Sequence, residues 1–135
     1  MRVVLDTNVL LAAFATHGLC DLVLADCLQS HTLIISEPLL TEFDHHLAGK
    51  FKIPPSQAAE IIRFLRSQST IVEPAEVVAV ACRDPEDLMV LGTALAGNAD
   101  CIVTGDNDLL VVHPFLKVAI LSPRDFYQRI SAGKR

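Results

Sequence analysis

The chain has no tryptophan, one tyrosine and six phenylalanines, so it offers little aromatic surface on which bases could stack. It also lacks an excess of positive charge: 11 lysines and arginines face 16 aspartates and glutamates, for a net charge of −5. That excludes a protein gripping nucleic acid through a broad basic face. It does not exclude a nuclease whose site carries its own metal cations. No G-x-S-x-G, P-loop or G-x-G-x-x-G occurs, which removes the nucleophile elbow and the glycine-rich phosphate loops. The four cysteines, Cys20, Cys27, Cys82 and Cys101, form no C-x-x-C, and each sits among apolar residues. They read as small core residues in a reducing compartment rather than as a disulfide framework. There is no apolar run long enough to span a bilayer and no basic leader with a cleavable apolar segment, so the expected location is cytoplasmic, with no membrane partner.

What remains is one domain's worth of chain. Residues 1–135 carry 51% hydrophobic residues, enough for a core without staples, and no repeat, low-complexity stretch or linker divides them. Short apolar runs alternate with helical patterns. Strands are expected at Val3–Leu5, Thr32–Ile35, Cys101–Val103 and Val118–Leu121, with further short extended candidates at Thr70–Val72 and Val77–Ala81. Helices are expected at Val9–Phe14 and Asp21–Cys27. A third should run from a Ser36 cap to near Gly49, and a fourth over Gln57–Ser67 behind a Ser56 cap. Another should span Pro85 to about Ala96, followed by a single turn at Asp106–Leu110 and a closing helix at Pro123–Ile130. Such alternation predicts an α/β fold, a three-layer α/β/α sandwich around a mainly parallel central sheet. Ligands of such sheets bind beyond the carboxyl ends of the strands.

Acids fall at that edge. "VVLDTN" puts Asp6 just past one apolar run, and "CIVTGDND" puts Asp106 just past another, with Asp108 two residues on. If the two strands are central parallel neighbours, these acids meet; otherwise each is a solvated loop acid capping the helix behind it. In "SEPLLTEFDHHL", Leu39, Leu40, Phe43 and Leu47 form an apolar stripe. Glu42 lies about 115° from its centre, at the rim, with His46 one turn on. Glu37 and Asp44 compete with Glu42 on composition, although Glu37 has a simpler role as a first-turn acid facing the helix dipole. In "CRDPEDLMVLGTALAG", Asp84, Pro85, Glu86 and Asp87 read as N-cap, N1, N2 and N3. Asp87 could reach back as in a capping box, or lie on the side where this very apolar helix meets the sheet.

Suppose Asp6, Glu42, Asp87 and Asp106 converge. Two carboxylates about 4 Å apart at an effective dielectric of about 20 repel by about 4 kcal/mol. A cluster of four therefore needs protons or a divalent cation. All-oxygen donors suit Mg²⁺ or Mn²⁺, with Thr7, Asn8 and Thr104 well placed to orient the carboxylates. A hard cation over an open cleft suits phosphoryl chemistry. His45-His46 is no zinc pair, because adjacent helical residues point about 100° apart.

The set "VVLDTNVLL", "SEPLLTEF", "RDPEDLMVLGTALAG" and "CIVTGDNDLL", in this order and spacing, resembles the PIN domain, most of all the bacterial subgroup that forms the toxins of toxin–antitoxin pairs. The resemblance spans Arg2 to about Tyr127. It implies a metal-dependent ribonuclease using Mg²⁺ or Mn²⁺, RNA as substrate, a small antitoxin as partner and a homodimer. It also implies that Asp6, Glu42, Asp87 and Asp106 are catalytic, with Asp6, Asp87, Asp106 and Asp108 on the metal and Thr7, Asn8 and Thr104 in support. One departure is Leu88, where similar sequences often carry an acidic or polar residue; it leaves less local charge for a second metal, with Asp84 a possible outer substitute. Lys50, Lys52, Arg63 and Arg66, around the hairpin after Glu42, either line the RNA approach or are solvated helix faces. Two rivals fit less well. An aspartate-dependent phosphatase wants D-x-D, and Asn8 holds the second place. A phospho-receiver wants a lysine after a late strand, which "VAILSP" lacks. A PIN-like binding module without catalysis is the remaining alternative.

Overall fold

Successive residues of a strand point to opposite faces of the sheet, yet Val3, Val4 and Leu5 are all buried, so helices cover both faces. The computed structural model describes residues 1–78 and 84–133. Among these residues, five strands, β1 (Arg2–Leu5), β2 (Thr32–Ser36), β3 (Ser69–Val72), β4 (Cys101–Val103) and β5 (Ala119–Leu121), form one sheet in the order β3-β2-β1-β4-β5. Every pairing is parallel, as the continuously apolar strands predict. Among the described residues, seven helices connect and flank the strands: α1 (Thr7–Ala15), α2 (Leu19–Ser30), α3 (Glu37–Gly49), α4 (Pro55–Gln68), α5 (Pro85–Ala96), α6 (Asn107–Leu110) and α7 (Pro123–Gly133). Among the described residues, no single helix is long and apolar enough to cross a membrane.

The winding positions the site. The chain steps outward from β1 to β2 and β3, then returns to the other side of β1 for β4 and β5. The reversal lies between β1 and β4, the place where doubly wound sheets open a crevice. Leu5 pairs with Val103, so the two strands end level and hand over to Asp6 and Thr104 side by side. The α5 helix packs against β1, β2 and β4, with Val90, Leu91 and Ala94 buried. Its apolar body therefore brings its first turn to the same sheet edge.

Several local expectations shift. The first helix starts at Thr7 rather than Val9 because Asp6 caps it, and α2 spans Leu19–Ser30, beyond the expected Asp21–Cys27. Ser36 sits at the N-cap of α3, but its hydroxyl meets Thr93 Oγ1 at 2.8 Å and caps nothing; a buried hydroxyl finds its partner across the sheet–helix contact instead. The fourth helix starts at Pro55 with Pro54 at the cap, two residues before the expected start at Gln57 behind Ser56, since a proline in the first turn gives up no hydrogen bond. Val118 falls just outside β5 and bridges to Phe115. Of the candidate Val77–Ala81, Val77 and Val78 are in no strand, and residues 79–81, like Cys82, lie outside the described residues.

A mid-helix glycine lets another segment dock on α5. The Ala75 amide donates to the Gly92 carbonyl at 3.0 Å, and a Cβ on Gly92 would lie 2.3 Å from the Ala75 carbonyl oxygen. Gly92→Ala should therefore destabilise the protein by about 1–3 kcal/mol in urea unfolding, despite alanine's better helix propensity. Equal or higher stability would mean that this close approach does not hold in solution.

Candidate active site

Asp6 is the first residue past β1, and its amide still bonds to Val103 O at 3.0 Å, so the carboxylate is held against the end of β4. It is only 5% exposed. Its Oδ1 accepts from the Thr7 amide at 2.8 Å and faces the Thr7 hydroxyl at 3.4 Å; its Oδ2 accepts from the Thr104 hydroxyl at 2.7 Å. That hydroxyl in turn accepts from the Asp106 amide at 3.0 Å. Asp106 Oδ1 accepts from the Asp108 amide at 2.9 Å and caps α6. Capping and site membership thus coexist: Asp6 and Asp106 each cap the next helix and face the same cleft.

Asp87 behaves differently. Asp84 alone caps α5, accepting from the Glu86 amide at 2.9 Å. Asp87 is 5% exposed, and its Oδ2 is buried with no hydrogen-bond partner among the described residues. Carboxylate oxygens of Asp87, Asp106 and Asp108 lie within 4.8 Å of one another. On α3, Glu42 Oε1 accepts from the Thr7 hydroxyl at 3.2 Å and faces His46 Nε2 at 3.8 Å. The rim position therefore does bring Glu42 to the sheet edge, with Thr7 touching both Asp6 and Glu42.

These side chains line a cleft of about 110 Å³: Asp6, Thr7, Asn8, Glu42, Asp84, Glu86, Asp87 and Asp106. Asp108 joins through its contact with Asp87 and Asp106 rather than as a wall of that cleft. Asn8 lines the cleft, exposed, and makes no hydrogen bond to a carboxylate among the described residues. Lys50, Lys52, Arg63 and Arg66 stand on the α3–α4 hairpin, outside the acid cleft, with Arg66 paired to Glu37. Sequence reasoning passed over Glu86, taken only as the second residue of a helix. Its approach to Glu42 comes from the packing of α3 against α5, which no local pattern encodes.

Crowding shifts the acids. Burial pushes the Asp87 carboxyl up to about 7, helped by the charges of Asp106, Asp84 and Asp6. Burial also pushes Glu42 up to about 7, with the charge of Glu86 next. Asp6 is raised by burial too, against the pull of its hydrogen bonds from Thr104 and Thr7. Without a counter-cation, the folded cleft holds protons that the unfolded chain has already released.

A family model described as PIN domain matches residues 2–108. The fold is similar to VapBC2 from Rickettsia felis, solved bound to a DNA fragment from their promoter, with TM-score 0.64 and 18% identity over 90% of this chain and 98% of that one. It is also similar to VapBC-1 from nontypeable Haemophilus influenzae, with TM-score 0.63 and 16% identity over 92% of this chain and 99% of that one. No curated protein matches the chain.

Raised carboxyl groups make folding stability fall as pH climbs from the ordinary values of 3.8 and 4.5 towards about 7. In EDTA, the melting temperature should therefore drop between about pH 5 and about pH 8, and less steeply for Asp87→Asn. At about pH 8, Mn²⁺ should raise the wild-type melting temperature and leave that of Asp87→Asn nearly unmoved. An EDTA curve that rises with pH and is no steeper in wild type than in Asp87→Asn would contradict a crowded acid cluster.

Proposed function

The chain belongs to the PIN-domain family, and on that premise we propose that it is a metal-dependent endoribonuclease that hydrolyses RNA phosphodiester bonds with Mg²⁺ or Mn²⁺. We read residues 1–135 as one nuclease domain, the toxin of a toxin–antitoxin pair. Its partner would be a small antitoxin, and it would act in the cytoplasm as a homodimer. The likeness in fold to two VapBC proteins supports the toxin reading.

One observation carries the nuclease proposal: Asp87 Oδ2, buried and without a donor, beside Asp106 and Asp108. A buried carboxylate oxygen without a donor is costly, and the acids around it can satisfy it only by holding a proton, so ionised acids here call for a cation. An all-carboxylate donor set fits a hard divalent cation, which Asp6, Asp87, Asp106 and Asp108 would hold. When bound, such a cation lowers the pKa of a water ligand and offsets charge on the phosphodiester.

The protein's own groups supply orientation and a proton acceptor. Thr104 and Thr7 hold both oxygens of Asp6 in place, so its carboxylate does not turn away when RNA enters. Thr7 also holds Glu42 Oε1. Held by Thr7 at the cleft and outside the four acids that would hold the cation, Glu42 is suited to take the proton of the attacking water on a carboxylate oxygen. The water oxygen bonds to phosphorus, and the bond from phosphorus to the leaving ribose oxygen breaks. The charge of Glu86, facing Glu42, makes Glu42 a better proton acceptor.

Single-stranded RNA should be cleaved with Mg²⁺ or Mn²⁺ and left intact in EDTA. Asp6→Asn should lower the rate by about a hundredfold or more while keeping the fold, as followed by circular dichroism. Equal cleavage by the wild type, the chelated protein and Asp6→Asn would end the nuclease reading, and metal-independent RNA binding without cleavage would favour a binding module.

A further inference from the structure

Lys50, Lys52, Arg63 and Arg66 are half of the lysines and arginines among the described residues, and all lie on the α3–α4 hairpin or its loop. Two depressions meet there. One, of about 800 Å³, is lined by Glu37, Thr41, His45 and His46 among others, and it shares Glu42 and Glu86 with the acid cleft. The other, of about 540 Å³, lies between α3 and α4. Arg63 and Arg66 line it, with Asp44 its one acid.

An ion pair stands where the two depressions approach. Arg66 donates through both terminal nitrogens to both oxygens of Glu37, the Nη2–Oε2 bond being 3.1 Å. The two side chains are 48% and 56% exposed. This two-pronged geometry is the one a guanidinium uses on a phosphate. An exposed pair of this kind adds little net stability, so a phosphate can replace the carboxylate at small cost. Glu37 by itself would repel an RNA backbone passing out of the cleft, and Arg66 is the cation within reach of it.

We propose, resting on the ribonuclease reading, that Arg66 is a positioning residue that binds a backbone phosphate of the RNA outside the acid cleft, and that Glu37 holds it in reserve until the strand arrives. Arg63, three residues earlier on α4 and in the same depression, continues the path. The strand then runs from the acid cleft past His45 and His46 to the two arginines. Glu42, Glu86 and Glu37 line the inner part of this route, and at its outer end Arg63 and Arg66 outnumber Asp44.

The test is steady-state cleavage of a labelled single-stranded RNA at several salt concentrations, with melting temperature as the folding control. Arg66→Gln should raise KM roughly three- to tenfold with kcat nearly unchanged, and should flatten the salt dependence of 1/KM by about 0.7 in slope. Arg66→Lys should restore the slope but not the whole of KM. Glu37→Gln should lower KM, and the double variant should match Arg66→Gln. If wild type cleaves RNA but Arg66→Gln leaves KM and slope unchanged, Arg66 does not touch the strand. If Glu37→Gln raises KM as Arg66→Gln does, the pair merely braces the hairpin. If wild type cleaves no RNA, the ribonuclease reading itself falls, and this inference with it.

Discussion

The cleft depends on one hydroxyl. Thr104 Oγ1 donates to Asp6 Oδ2 at 2.7 Å and accepts from the Asp106 amide at 3.0 Å, so both its donor and its acceptor capacity are used within the site. It is fully buried. Through it, the carboxylate that follows β1 and the backbone that follows β4 are joined across the edge of the sheet. A valine here would fill the volume and lose both bonds. Asp6 would then keep its burial without its strongest compensation, and the turn to Asp106 would lose its anchor.

The same parsimony runs through the acids. Asp6 and Asp106 satisfy the first amides of α1 and α6 and still present carboxylates to the cleft. Asp84 takes the capping duty for α5, and Asp87 Oδ2 is left buried without a hydrogen-bond donor among the described residues. A carboxylate so placed is destabilising by itself. Its cost is borne by the burial of the α5 body against three strands, where Leu91 and Ala94 are completely covered. A site made of mutually repelling acids thus rests on an apolar helix and a parallel sheet.

Much of this was legible in the chain. Continuously apolar strands announced a parallel sheet covered on both faces, and two of them ended in acids, Asp6 and Asp106, at the edge where such sheets bind ligands. Thr7 and Thr104 stood out as polar residues beside those acids and do hold Asp6. Glu42 was legible only as a rim residue of its helix, one of three acids that composition could not separate. Glu86 was invisible as part of the cleft, and Ser36 pointed the wrong way, towards a cap it does not make. Those positions depend on α3 meeting α5, and on β2 meeting α5, across distances in sequence that no local period spans.

The sequence by itself determined the alternation of elements, the strand ends that carry acid, and the helix starts at Asp84 and Asp106, because hydrophobic period and capping chemistry act over a few residues. Only the tertiary structure decided that β1 and β4 are neighbours ending level, that Asp87 turns inward unpaired while Asp84 caps, and that Glu42 and Glu86 crowd one another. The physical reason is that desolvation and charge repulsion are properties of a shared volume. Until the sheet closes that volume, each acid is an ordinary solvated carboxylate; once it closes, they become one strained site.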